Sequence, residues 1–205
     1  MHEFYKFIAG RRSVRKYRKV RVSHEQLVRI LEAGKWAPSA HNAQPWHFFI
    51  LQTPEDKEKL AKAMGGAFRR DLAADGEAPE LIEDLVEASI ERFSSAPVLI
   101  LACLTMKPMD SYPDEKRRQA EFLMAVQSVA TALNIILLAA HAEGLASCWF
   151  CAPLFCPETV QESMGLADEF KPQALISLGK ADETPDPPVR HPLKEFVTFG
   201  RGLEE

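Results

Sequence analysis

Four stretches of the chain combine residue types that could do chemistry. Arg11-Arg12-Ser13-Val14-Arg15 sets three guanidinium groups and a hydroxyl within five residues. A guanidinium offers a rigid fork of donors, suited to a phosphate or an electron-rich heterocycle. Taken alone, the run reads first as a solvated basic turn. Pro38-Ser39-Ala40-His41-Asn42-Ala43-Gln44-Pro45-Trp46 fixes a loop between two prolines and loads it with a hydroxyl, an imidazole and two amides. Amides pair with a ring that alternates donors and acceptors, but they also satisfy a connection's own backbone. Glu143-Gly144-Leu145-Ala146-Ser147-Cys148-Trp149 has a glycine that allows close backbone approach to a ligand, or simply ends a helix. Cys148, Cys151 and Cys156 could be metal or redox thiols. No fourth local ligand accompanies them, and buried small hydrophobes are the better reading. His41, His47 and His141 lack ligand spacing and read as core or pocket wall, so no metal site is expected.

Charge narrows the choice of ligand. The first 21 residues hold eight Lys or Arg and one acid, a local charge of +7 in a chain of net charge −4. A basic arm on an acidic protein fits a compact anion better than a nucleic acid. The arm is neither apolar enough for a signal peptide nor Ser-rich like a transit peptide, so a cytoplasmic protein with reduced cysteines is expected. Four cysteines in 205 residues cannot make a disulfide scaffold, and 46% apolar residues can build a core. One domain over 1–205 is expected.

The elements that must position these residues follow from pattern. A short helix carries Phe4, Phe7 and Ile8. Ser23 with Gln26 forms a capping box for a helix that must stop near Ala37, before Pro38. Trp46–Leu51 is a strand. Thr53-Pro54 opens another helix, and residues 65–79, rich in glycine and charge, read as a mobile excursion. Pro79–Phe93 is a helix, and 97–104 a central strand apolar on both faces. The long apolar stretch Phe122–Ala142 is interrupted by Gln127, Ser128, Thr131, Asn134 and His141. It reads as a helix, from about Asp114 to Glu143, buried in the middle of a soluble domain rather than in a membrane. Strands at 145–150 and 173–178, a helix at 157–164, a Pro-rich extended stretch at 180–192 and a last β-like piece at 195–199 complete an α+β, three-layer chain. A Pro-rich tail with no period of its own is suited to wrapping a partner.

The order and spacing of the motifs go further. Arg-Arg-Ser-x-Arg near the N-terminus is followed about 25 residues on by Ala-Pro-Ser-x-x-Asn-x-Gln-Pro-Trp. Glu-Gly-Leu-x-Ser-Cys-Trp comes after the long helix, then a late Leu-Gly-Lys and Arg190-His191-Pro192-Leu193. The chain resembles the nitroreductase family of FMN-dependent NAD(P)H oxidoreductases over about residues 4–199. The resemblance implies a central mixed or antiparallel sheet flanked by helices, and a C-terminal extension exchanged in a homodimer. It also implies two FMN molecules at the subunit interface, each held by both chains. By that resemblance Arg11, Ser13 and Arg15 contact FMN, with Arg12 at a variable position between them. Pro38, Ser39, Asn42 and Gln44 belong to the loop supplied by the other subunit. Glu143 and Gly144 face the flavin's N5 region, and Arg190 approaches the phosphate. No mid-chain contact is assigned between residues 65 and 77.

The expected activity is reduction of nitro compounds, quinones or related electrophiles by ping-pong use of NADH or NADPH, with no nucleic acid or membrane partner. Arg15 would support the reduced flavin, and no side chain would act as nucleophile or acid. A flavin or deazaflavin metabolic reductase and a non-catalytic flavin-binding protein are the alternatives.

Overall fold

Residues 2–200 of the computed structural model are described here; Met1 and residues 201–205 of the expected single domain lie outside that range. The strand Val98–Leu104 organises the rest. All seven of its side chains are buried, because helices cover both of its faces. Val98, Ile100, Ala102 and Leu104 point to one layer, and Leu99, Leu101 and Cys103 to the other, the period-two alternation of a strand. We label the strands β1 (Trp46–Leu51), β2 (Val98–Leu104), β3 (Ala146–Phe150) and β4 (Lys171–Gly179), and the helices α1 (Glu3–Gly10), α2 (His24–Gly34), α3 (Pro54–Ala74), α4 (Pro79–Ser94), α5 (Glu115–Ala142) and α6 (Pro157–Met164). The sheet order is β1-β2-β4-β3, and every pairing is antiparallel. Helices α2 and α5 contribute to the first core, and α3, α4 and α6 to the second. The result is a three-layer α+β fold, antiparallel rather than mixed.

Local chemistry explains the boundaries. Both halves of the Ser23/Gln26 capping box form, and Thr53 caps α3 through the Asp56 N–H. Gly165 closes α6 in the left-handed conformation.

Three expectations need correction. Residues 65–74 are helix, the continuation of α3, rather than a mobile excursion. Gly65 lies where a Cβ would meet Ile90 Cγ1 at 2.7 Å, so the glycine admits α4 rather than breaking α3. Residues 195–199 form no strand; a single 3-10 turn spans Leu193–Glu195. Finally, α5 is not enclosed on all sides. It is long and apolar enough to cross a membrane by length and composition. Its inner face, with Ala125, Val129, Leu133 and Ile136, is buried in the protein, while Leu123 remains 58% exposed on the outer face.

Candidate functional site

The basic arm is held in place by its own backbone. After α1, residues 11–18 run beside the edge strand β3. Ser13 makes a parallel bridge to Ser147, and the Val14 N–H donates to the Ser147 carbonyl at 3.1 Å. Farther on, the Arg18 N–H donates to the Lys180 carbonyl (2.9 Å), and the Asp182 N–H to that of Lys16 (2.9 Å). The Glu183 carboxylate accepts from the N–H groups of Arg15 (2.6 Å) and Lys16 (3.1 Å). Backbone needs are thereby met locally.

Tyr17 is the latch. Its hydroxyl donates to the Val14 carbonyl at 2.5 Å and accepts from the Ser177 hydroxyl at 2.6 Å. Burial pushes its pKa well above the ordinary phenol value, so the donor stays protonated. Tyr17→Phe strands a buried hydroxyl and a buried carbonyl. It is expected to cost about 1–3 kcal/mol, read as a lower urea midpoint with an unchanged m-value. An unchanged midpoint would show that the latch does not hold the arm.

The three arginines differ. The Arg12 Nη1 donates to the carbonyls of Ala9 (2.6 Å) and Arg11 (2.9 Å), so this side chain caps the C-terminal end of α1. The Arg11 Nη1 is buried and has no hydrogen-bond partner. Buried guanidinium donors without acceptors are costly. Arg11, Ser13 and Arg15 all act on Cys148: burial raises that thiol's pKa, while Arg15, the Ser13 hydroxyl and Arg11 oppose the rise. Ser13 is bridged to Ser147, the neighbour of Cys148, so the arm brings this run to the space over the start of β3.

The turn after α5 borders that space. Gly144 adopts φ +65°. Its N–H donates to the His141 carbonyl, and the Leu145 N–H to that of Ala140, the paired bonds of a Schellman ending. The Glu143 side chain faces away. Arg29 of α2 grips its carboxylate with two bonds of 2.8 and 2.7 Å and holds its pKa below the usual carboxylate range. Only the backbone of this segment is thus offered to a ligand. Lys180 donates to the Gly144 carbonyl at 3.1 Å and brings a further cation to this corner. Neither Lys180 nor Tyr17 stood out from the sequence as a site residue. The Leu-Gly-Lys end of a strand was the available signal for the first, but its meaning depends on β4 lying beside β3.

The Pro38–Pro45 loop lies elsewhere. Ser39 Oγ accepts from the Gln44 N–H (3.0 Å), and the Ala40 N–H donates to Ser128 Oγ in mid-α5 (3.2 Å). His41, Asn42 and Gln44 all have φ near +50°, a conformation costly for residues other than glycine and concentrated at functional sites. The loop feeds β1, whose Trp46 pairs with Leu104 at one end of β2. The arm sits by Ala146 and Gly179, at the opposite end of β4 and the opposite edge of the sheet. Along α5, the fifteen residues from Ser128 to Glu143 span about 22 Å. One chain therefore brings Arg11, Ser13, Arg15 and Gly144 together and holds Pro38, Ser39, Asn42 and Gln44 at the diagonal corner. Arg190 stands on the exposed extended segment and makes no hydrogen bond or ion pair among the described residues.

Comparison with known proteins adds the lineage. The sequence model of the nitroreductase family matches residues 8–180. A protein of Archaeoglobus fulgidus, provisionally named NADH dehydrogenase/NAD(P)H nitroreductase, is 30% identical over 91% of this chain and 90% of its own. A BluB-like flavoprotein from Clostridium difficile superposes with a TM-score of 0.78 at 24% identity, covering 98% of this chain and all of that one. An NADPH:FMN oxidoreductase from Vibrio harveyi, complexed with NAD+, gives a TM-score of 0.73 at 20% identity and covers all of this chain and 80% of that one.

Proposed function

The chain belongs to the nitroreductase family, and on that premise we propose that it is an FMN-dependent NAD(P)H oxidoreductase acting as a homodimer, with each FMN held between two copies. The observation that carries the reading is the buried, unpartnered Arg11 Nη1 beside Ser13, Arg15 and the Gly144 turn. This donor set fits an anionic group, and the FMN phosphate carries about −1.5 to −2 charges near neutral pH. Bound there, FMN would supply hydride acceptance and delivery, chemistry for which the side chains need only bind and polarise.

Each residue then has a task. Arg11 meets the phosphate and Ser13 the neighbouring polar chain. Arg15 places a fixed positive charge where negative charge grows on reduction. The Gly144 backbone allows close approach. The loop with Pro38, Ser39, Asn42 and Gln44 comes from the second copy, since its own chain places it at the wrong corner. The exposed tail supports that assembly: Val189, Leu193, Phe196 and Phe199 are each at least 65% exposed, together an apolar strip rare on a monomer's surface. Arg190 would reach the phosphate from this tail. Nicotinamide donor and electrophilic acceptor, a nitro compound or a quinone, would use one cleft in turn.

The purified protein is expected to be yellow and dimeric by light scattering. It should release FMN on denaturation and bleach anaerobically with NADH or NADPH. A colourless protein that fails to take up added FMN would overturn the reading.

A further inference from the structure

At the loop corner, three chain segments converge on a second constellation. His41 comes from the strained loop, Asp110 from the connection between β2 and α5, and Glu121 from the second turn of α5. One ligand atom from each lies within 4.8 Å of the other two. Glu121 is only 3% exposed. Its Oε1 stands 3.4 Å from His41 Nε2, and its Oε2 is buried with no partner.

A buried carboxylate oxygen without a donor is expensive. Three ways of relieving the cost exist: protonation of Glu121, protonation of His41, or a cation. The donor set favours the cation. Two carboxylates and a neutral imidazole present two negative charges and three lone pairs. Imidazole with carboxylate suits zinc and its neighbours better than magnesium or calcium, which prefer all-oxygen shells. Oxygen and nitrogen ligands about 2.0–2.2 Å from a tetrahedral zinc ion stand roughly 3.3–3.6 Å from each other. His41 Nε2 and Glu121 Oε1, 3.4 Å apart, already have that spacing, and an Asp110 oxygen lies within 4.8 Å of both ligand atoms. Three protein ligands leave a fourth tetrahedral position for water.

We propose that His41, Asp110 and Glu121 bind one divalent transition-metal ion, with Zn2+ as the best-matched probe, at a site separate from the arm that holds the anion. This revises the expectation of no metal site. His41 had no ligand spacing in sequence because its partners lie 69 and 80 positions away. The ion would tie the Pro38–Pro45 loop to α5 and set the posture in which the loop is presented to the second copy.

The test is calorimetric titration of Zn2+ into dialysed, FMN-loaded protein at pH 7.5, with and without competing chelator. One ion per chain is expected. Glu121→Gln keeps the shape but removes the charge and should weaken binding about 100-fold or more; Asp110→Asn, on an exposed ligand, about tenfold or more. Affinity should fall at acid pH, because metal binding displaces protons from its ligands. A variant with Cys151 and Cys156 both changed to Ser should bind as the parent does. Because Glu121→Gln could disturb folding, His41→Ala on the exposed loop serves as the second variant and should give the same loss. The proposal is overturned by absent stoichiometric uptake, by unchanged affinity in Glu121→Gln and His41→Ala, or by binding that vanishes only with the cysteines.

Discussion

Arg11→Met protein is expected to lose FMN readily: its dissociation constant should rise by about tenfold to a hundredfold, the equivalent of one charge-assisted hydrogen bond of roughly 1.5–3 kcal/mol. Methionine keeps most of the apolar stem and deletes the guanidinium. The same substitution should move stability in opposite directions in the two forms. The Arg11 Nη1 is a buried donor with no acceptor inside the chain, so removing it lifts a burden from the FMN-free protein. With FMN at saturation the variant loses a contact and becomes the weaker of the pair. Fluorescence titration of released FMN and urea melts of both forms would show this crossing. A variant that binds FMN as tightly as the parent would place the phosphate elsewhere.

Arg15→Ala is expected to act on rate. Its guanidinium, like that of Arg11, opposes the rise that burial imposes on the Cys148 pKa, and the FMN pose proposed above would set it at the pyrimidine edge of the ring. A cation there interacts more strongly with the reduced state than with the oxidised one, and only such unequal interactions lower the barrier. Anaerobic stopped-flow bleaching of FMN-saturated variant by NAD(P)H should slow by about tenfold to a hundredfold, matching a loss of roughly 1.5–3 kcal/mol. The midpoint potential should fall, while Arg11→Met at saturating FMN should keep the parent's rate. Equal rates and equal potentials for Arg15→Ala and the parent would refute this division of roles.

Much of the fold could be read from local signals. β1 and α6 fall on the expected residues, and Pro79–Ser94 and Glu115–Ala142 differ from expectation by a residue or so. Caps, prolines and continuous apolar runs are short-range features that survive without knowledge of tertiary contacts. The failures are long-range. Gly65 and Gly66 look like breakers until Ile90 is seen packed against the first of them. The final Phe-rich residues have the composition of a strand, but no strand of the sheet pairs with them. At the site, Arg11, Ser13 and Arg15 were legible as a group because they are neighbours in sequence. The resemblance sets Arg12 apart only as the variable position between them, and the geometry shows it capping α1. Tyr17, Lys180 and Glu183 gain meaning because β4 returns beside β3, and Glu121 because the loop folds over α5. No spacing rule carries such information.

The diagonal separation of arm and loop has a consequence for inheritance. In the two-copy arrangement proposed above, each chain would contribute its arm to one FMN site and its loop to the other. A chain with a ruined arm and a chain with a ruined loop are each inactive with their own kind. Paired with each other, they assemble one site from the two undamaged corners and one from the two damaged ones. Two defective alleles could therefore complement in the same cell, and the two corners are free to accumulate lesions on different gene copies without loss of every working site.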